Sequence, residues 1–148
     1  LVSKVCWDDE LVIVTPPDHP LTEHSVSGVD AILEYPFISR EEGSGTRNVI
    51  VDYLQSADRD ISDLNLTMEF GSPESIKSAV AAGLGISILS IATLDKELEL
   101  GMLSKLSLDP PLTRPFSIVY QRQKFRLRAM DEFLEFTEAH CVEKQSAK

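Results

Sequence analysis

The run Gly43-Ser44-Gly45-Thr46-Arg47 places two permissive backbone positions, two hydroxyls and a fixed cation in five consecutive residues. Glycines at 43 and 45 let the backbone come close to a ligand, and the Ser44 and Thr46 hydroxyls can donate hydrogen bonds. Apolar residues at helical spacing, Val49, Ile50, Tyr53 and Leu54, follow at once. The opening turn of a helix has unpaired amides and a partial positive charge, so this loop suits a carboxylate, sulfate or phosphate. Gly71-Ser72-Pro73-Glu74 is a second opening of the same kind, with serine as a cap and proline at the first helical position. Ser90 closes a third apolar run. The competing reading is purely structural: Ser44 or Thr46 and Ser72 cap their helices, and Arg47 pairs with Glu41 or Glu42.

Other chemistry fails on detail. A phosphate loop of the nucleotidase kind needs Gly-Lys-Ser/Thr, and Gly45-Thr46-Arg47 has no lysine there. Asn48 stands where the dinucleotide pattern needs its third glycine, and Ser44 lies directly between glycines rather than in Gly-x-Ser-x-Gly. His19, His24 and His140 have neither metal-ligand spacing nor a nucleophile pattern around them. Glu41 and Glu42 are sequence neighbours and so poorly placed to act as a general-acid pair. The expectation is a binding module without catalytic residues, metal or cofactor.

The elements that must carry these residues alternate. Residues 10–15, ELVIVT, read as a strand closed by the PPDHP turn, in which His19 is a turn residue. A short helix over 29–33 follows, then a strand at 36–39, the glycine loop and its helix. Residues 66–70 read as a strand, and Ile76, Ala79, Val80 and Leu84 mark a helix face stopped at Gly83. A strand at 86–89, a helix ending at Gly101, an edge strand in MLSKLSL, an alternating strand in FSIVYQR and a terminal helix with Leu127, Met130, Phe133 and Leu134 complete the order. The opening LVSKVCWDDE shows no strand or helix pattern, and Trp7 is expected to pack. Alternating strands and helices with short connections predict an α/β chain with a parallel or mixed sheet covered by helices on both sides. In such a sheet the carboxyl ends of parallel strands lie along one edge, which brings Ser44, Gly45, Thr46, Ser72 and Ser90 toward one cleft.

Composition sets the bounds. The 148 residues carry a formal net charge of −10 and are 43% hydrophobic, enough for a core of their own. That acidity argues against direct DNA contact. Apolar runs are too short to cross a bilayer and no leader is visible, so a soluble, cytoplasmic chain without membrane contact is expected. Two cysteines, Cys6 and Cys141, are expected to be reduced structural thiols. The chain begins at Leu1 and reads as part of something longer.

Five segments occur in a telling order: DDELVIVTPPDHPL, EYPFISREEGSGTR, FGSPESIKSAVAAGLGISILS, LELGMLSKLSL and RPFSIVYQRQKFRLRAMDEFLEF. Together they resemble the carboxyl-terminal effector-binding region of LysR-type transcriptional regulators, over about residues 8–137. The REEGSGTR wording is similar to the branch that includes regulators of sulfur assimilation and carbon fixation.

That resemblance implies a type II periplasmic-binding-protein-like fold: two α/β lobes joined by crossing strands, with a mixed, mostly parallel sheet and a small effector held between the lobes. It implies an incomplete first lobe and crossing strand over 1–35, a second effector-binding lobe over 36–108, and a return strand and terminal helix over 109–148. Carried over, the effector positions are Ser44, Gly45, Thr46 and Arg47, then Ser72 and Glu74, and the effector is a small anionic metabolite. The resemblance also implies a homodimer or tetramer that touches DNA only through an amino-terminal helix-turn-helix absent here. The alternative is an extracytoplasmic solute-binding protein of the same fold.

Overall fold

The computed structural model describes residues 1–122 and 127–146, and among them two compact units: Leu1–Asp9 with Arg114 onward, and Glu10–Thr113. The larger unit is built around β1, Val2–Thr15, whose residues Leu11, Val12, Ile13 and Val14 are fully buried. A run of β-branched residues and leucine buried on both faces is what a central strand requires. β1 pairs antiparallel with β5, Ser87–Ser90, on one side and with β6, Ser104–Leu108, on the other. β2, Val26–Ser27, runs parallel to β6. MLSKLSL therefore supplies an interior strand between β1 and β2, not the edge expected from its sequence. Alternation in Leu106 and Leu108 cannot distinguish an edge from an interior position; the pairing partners decide it.

β3, Pro36–Arg40, and β4, Asn65–Phe70, form a parallel pair. β3 is tied to the approach of β5 by a parallel bridge between Phe37 and Ile86, and the buried Ser87 hydroxyl donates to Ile38 O at 2.7 Å. The sheet is thus mixed, parallel through β3, β4 and β5 and antiparallel where β1 enters.

Helices cover two apolar layers. α1, Val29–Leu33, and α2, Gly45–Ser56, contribute Ile32, Ile50, Tyr53 and Leu54 to a core with Leu11, Ile13, Phe37 and Ile88. α3, Pro73–Ala81, and α4, Asp95–Glu99, lie against the other set, where Ile76 and Val80 meet Val12, Val14, Ile38 and Leu89. The odd and even residues of β1 feed different cores, as the period of a strand dictates. Leu84, expected on the face of α3, falls beyond its end and is 47% exposed, because Gly83 at φ +78° terminates the helix first.

Residues 10–35 belong to the larger unit, because β1 is its central strand.

The smaller unit contains the start of β1, most of β7, Leu112–Tyr120, and α5, Arg128–Ser146. LVSKVCWDDE is strand and not irregular chain: β7 pairs with β1, and the strand exists by that pairing rather than by any pattern of its own. Trp7 packs edge-on against Phe116, with ring centroids 6.5 Å apart. The expectation of reduced thiols is also overturned, for Cys6 and Cys141 are joined in a disulfide. Sequence separation concealed this, since α5 returns to the strand where the chain began. Of the terminal apolar residues only Leu134 is buried, while Leu127 and Phe133 are largely exposed.

Candidate functional site

Three serines mark the carboxyl ends of β3, β4 and β5. Ser44 caps α2 and its Oγ accepts from Arg47 N at 3.5 Å. Ser72 caps α3, accepting from Ser75 N at 3.2 Å and sharing a hydrogen bond with Ser75 Oγ at 3.0 Å. Ser90 caps the 3-10 turn Ile91–Thr93, accepting from Ala92 N at 3.3 Å. Because β3 runs parallel to β4 and to the Ile86 end of β5, all three starts lie at one edge of the sheet. The capping half of the sequence reading is therefore observed, and it supplies the helix openings that an anion would use.

The glycine loop is tightly built. Glu41 N donates to Phe70 O at 3.2 Å, fastening the end of β3 to the end of β4. Ser44 N then donates back to Glu41 O, also at 3.2 Å, around Gly43 at φ +87°, a left-handed conformation that favours glycine. Ser44 and Thr46 are buried and Gly45 opens the helix with nothing within 4 Å of a side chain that would stand there. That is room for a ligand to approach backbone.

Arg47 pairs with Glu69, not with Glu41 or Glu42, and its Nη1 also donates to Arg40 O at 3.1 Å. Its guanidinium thus spans the ends of β3 and β4. Arg40 takes Glu41 in a two-pronged pair at 2.8 and 2.9 Å. The Arg40 hydrogen bonds hold the Glu41 carboxyl below its ordinary value, and the carboxylate in turn raises the Arg40 guanidinium.

Glu74 lies in the first turn of α3, where its carboxylate meets Lys77 Nζ at 3.0 Å. Lys77 is 7% exposed and also reaches Glu97 at 2.8 Å and Thr93 O at 3.0 Å. Burial pulls the Lys77 ammonium down, but the hydrogen bonds it donates to Glu97 and Glu74 outweigh this and raise it above the ordinary lysine value. The Lys77 hydrogen bond holds Glu97 low. Sequence reasoning missed this network. The only available signal was Glu74 and Lys77 at i, i+3 beside an apolar stripe.

The structure brings Ser44, Gly45, Thr46 and Arg47 together on one opening turn, and Ser72 with Glu74 on the next. His19 caps a short 3-10 turn through Nδ1, accepting from Leu21 N at 3.2 Å, with the Tyr35 ring 4.5 Å away and burial lowering its pKa. It is a turn residue, as expected. Among the described residues no group of acidic, histidine or cysteine side chains could hold a metal ion, and no helix is long and apolar enough to cross a membrane.

Comparison with protein families matches residues 1–142 to the LysR substrate binding domain. The HTH-type transcriptional regulator YeiE of Escherichia coli (strain K12) is 37% identical over 137 residues, 92% of this chain and 45% of that protein. The RuBisCO operon transcriptional regulator of Allochromatium vinosum is 37% identical over 139 residues, covering 90% of this chain and 44% of that one. The chain spans less than half the length of these relatives. Among solved structures, the CcmR regulatory domain of Synechocystis PCC6803 in complex with 2-PG superposes with a TM-score of 0.84 at 32% identity, over 95% of this chain and 66% of that one.

Proposed function

This chain belongs to the LysR substrate binding domain family, and from that premise we propose that it is the effector-sensing part of a transcriptional regulator whose signal is a small anion. The anion sits against the opening turns of α2 and α3, where Ser44, Gly45, Thr46 and Arg47 face it from one side and Ser72 with Glu74 from the next. The carrying observation is the alignment of three serine-capped starts at the carboxyl ends of parallel strands. Two buried hydroxyls and the Arg47 guanidinium at the same edge add donors and positive charge within a chain of net charge −10. The 2-PG complex of the CcmR domain supports a small effector in this fold at this level of identity.

Binding would act on transcription by differential affinity. An effector that prefers one arrangement of the regulator shifts a dimer or tetramer toward it, and that shift changes how helix-turn-helix segments outside this chain meet DNA. The regulator would work in the cytoplasm. Residues Glu10–Thr113 would form the effector-binding lobe.

An amide chemical-shift titration at fixed ionic strength tests the reading with sulfate, phosphate, a panel of small carboxylates and 2-PG. Saturable shifts confined to residues 43–47 and 71–75 are expected. If the chain and a version extended to the full domain length of its relatives both show none, the anion reading is wrong and the serines are caps alone.

A further inference from the structure

In the smaller unit, Lys4 and Cys6 lie two apart on β1 and so project from one face of the strand. Glu138 and Cys141 lie three apart on α5 and share a face of the helix. The two faces meet in matching order: Lys4 Nζ donates to Glu138 Oε1 at 2.7 Å, and Cys6 is bonded to Cys141 with their Cα atoms 5.7 Å apart. Leu134, one turn before Glu138, is buried on the same stripe. The Cα separation is in the middle of the ordinary disulfide range, so strand and helix are placed for this bond. Both cysteines are half-buried, and beside them is an open cavity of about 390 Å³ lined in part by Cys6, Asp8, Ile118, Cys141 and Val142. A small solute entering this cavity meets both cysteine residues.

We infer that Cys6 and Cys141 form a reversible thiol–disulfide exchange site for a small thiol of the glutathione type, whose oxidised form clamps α5 to β1. An external thiolate attacks one sulfur, forms a mixed disulfide and expels the other cysteine as a thiolate, which takes up a proton. A second external thiol attacks the mixed disulfide, frees the first cysteine and leaves joined to its fellow as a disulfide. Two electrons and two protons pass from the external thiols to the chain, and the external disulfide is the oxidant in reverse. An accessible disulfide of this kind is the exchangeable kind, in contrast to a sealed structural one. Every residue involved lies in the smaller unit, so the inference stands apart from the anion site.

The test equilibrates the chain in mixtures of reduced and oxidised glutathione, blocks free thiols with N-ethylmaleimide, and reads mass and amide hydrogen exchange on the same samples. The fraction without maleimide should rise with oxidised glutathione. Amides of residues 133–142 should exchange at least about tenfold faster in the reduced chain, while those of residues 11–14 keep their rates. Cys6→Ser should match the reduced chain in every mixture; the reduced wild type supplies the same comparison should that variant not fold. Quantitative maleimide labelling of both cysteines in the most oxidising mixture overturns the inference, as does equal exchange of α5 in the two states.

Discussion

Arg114 Nε donates to Asp9 Oδ2 at 3.0 Å, and in the smaller unit Asp9 ends the first segment while Arg114 begins the second. Asp9 is 1% exposed, and the Arg114 guanidinium also lies 5.0 Å from the centre of the Phe116 ring. The pair fastens β1 to β7 at the positions where both strands pass from one unit to the other. Arg114→Met removes one charged partner of a buried carboxylate and should lower stability by about 3 kcal/mol in urea unfolding. Adding Asp9→Asn should return part of that loss, giving a non-zero coupling in the double-mutant cycle. Strictly additive losses would mean that the pair is not a unit.

The Lys77 network predicts a pH dependence. Glu97 is held low by its Lys77 hydrogen bond. A carboxyl whose folded pKa is depressed contributes stability that is complete above its unfolded value and is lost as pH falls through the folded one. Wild type should therefore lose stability in the acid range below the ordinary glutamate value, and Lys77→Met should flatten that part of the curve. The substitution should also cost about 2 kcal/mol at neutral pH, because Glu97 loses its buried cation. On the alkaline side the raised Lys77 pKa contributes stability that is lost only as pH climbs past the usual lysine range. Parallel wild-type and variant curves below the glutamate range would refute the assignment.

Gly85 is where β5 approaches β3. A Cβ there would stand 2.6 Å from Pro36 O and 3.1 Å from Pro36 C, and neither backbone atom can step aside. Gly85→Ala should cost about 3 kcal/mol or prevent folding. Gly83→Ala meets nothing within 4 Å and carries only the strain of φ +78°, so about 1 kcal/mol is expected. Thermal unfolding of the two variants checks the order.

Arg47 and Glu69 should move anion binding in opposite directions. Arg47→Gln removes the cation that spans β3 and β4, and about a tenfold loss of affinity, or 1.4 kcal/mol, is expected. Glu69→Gln removes the carboxylate that competes with a bound anion for the same guanidinium, and affinity should rise. The amide titration described above measures both; losses in both variants would show that Arg47 needs Glu69 for its position.

What the residue pattern could reveal followed how local the cause was. α1 and the starts of α2 and α3 were readable because serine, proline and the apolar spacing act within one turn. β3 and β4 were readable from short apolar runs bounded by breakers. The start of β1, the interior place of β6 and the Cys6–Cys141 bond depend on partners about a hundred residues away in the chain, and no local signal encodes a distant partner. At the candidate site the caps were legible, but Arg47 found Glu69 instead of its acidic neighbours because β4 lies beside β3 in space. Lys77 stayed hidden for a related reason: Glu97, its second acid, comes from a different helix.

The burial of residues 11–14 of β1 between β5 and β6 has a consequence for how the protein is made. The register joins Leu11 to Ser90 and Ile13 to Leu106, so β1 meets these two neighbours only after β5 and β6 have left the ribosome. Until then these four apolar residues lack the two strands that flank them in the fold. Contacts this distant in sequence slow folding, and an unpaired hydrophobic strand is the segment most prone to join another chain. β3, α2 and β4 can assemble earlier from neighbouring sequence, so the serine-capped edge should take shape before the strand that anchors it, and nascent-chain yield should depend on how long β1 is kept from self-association.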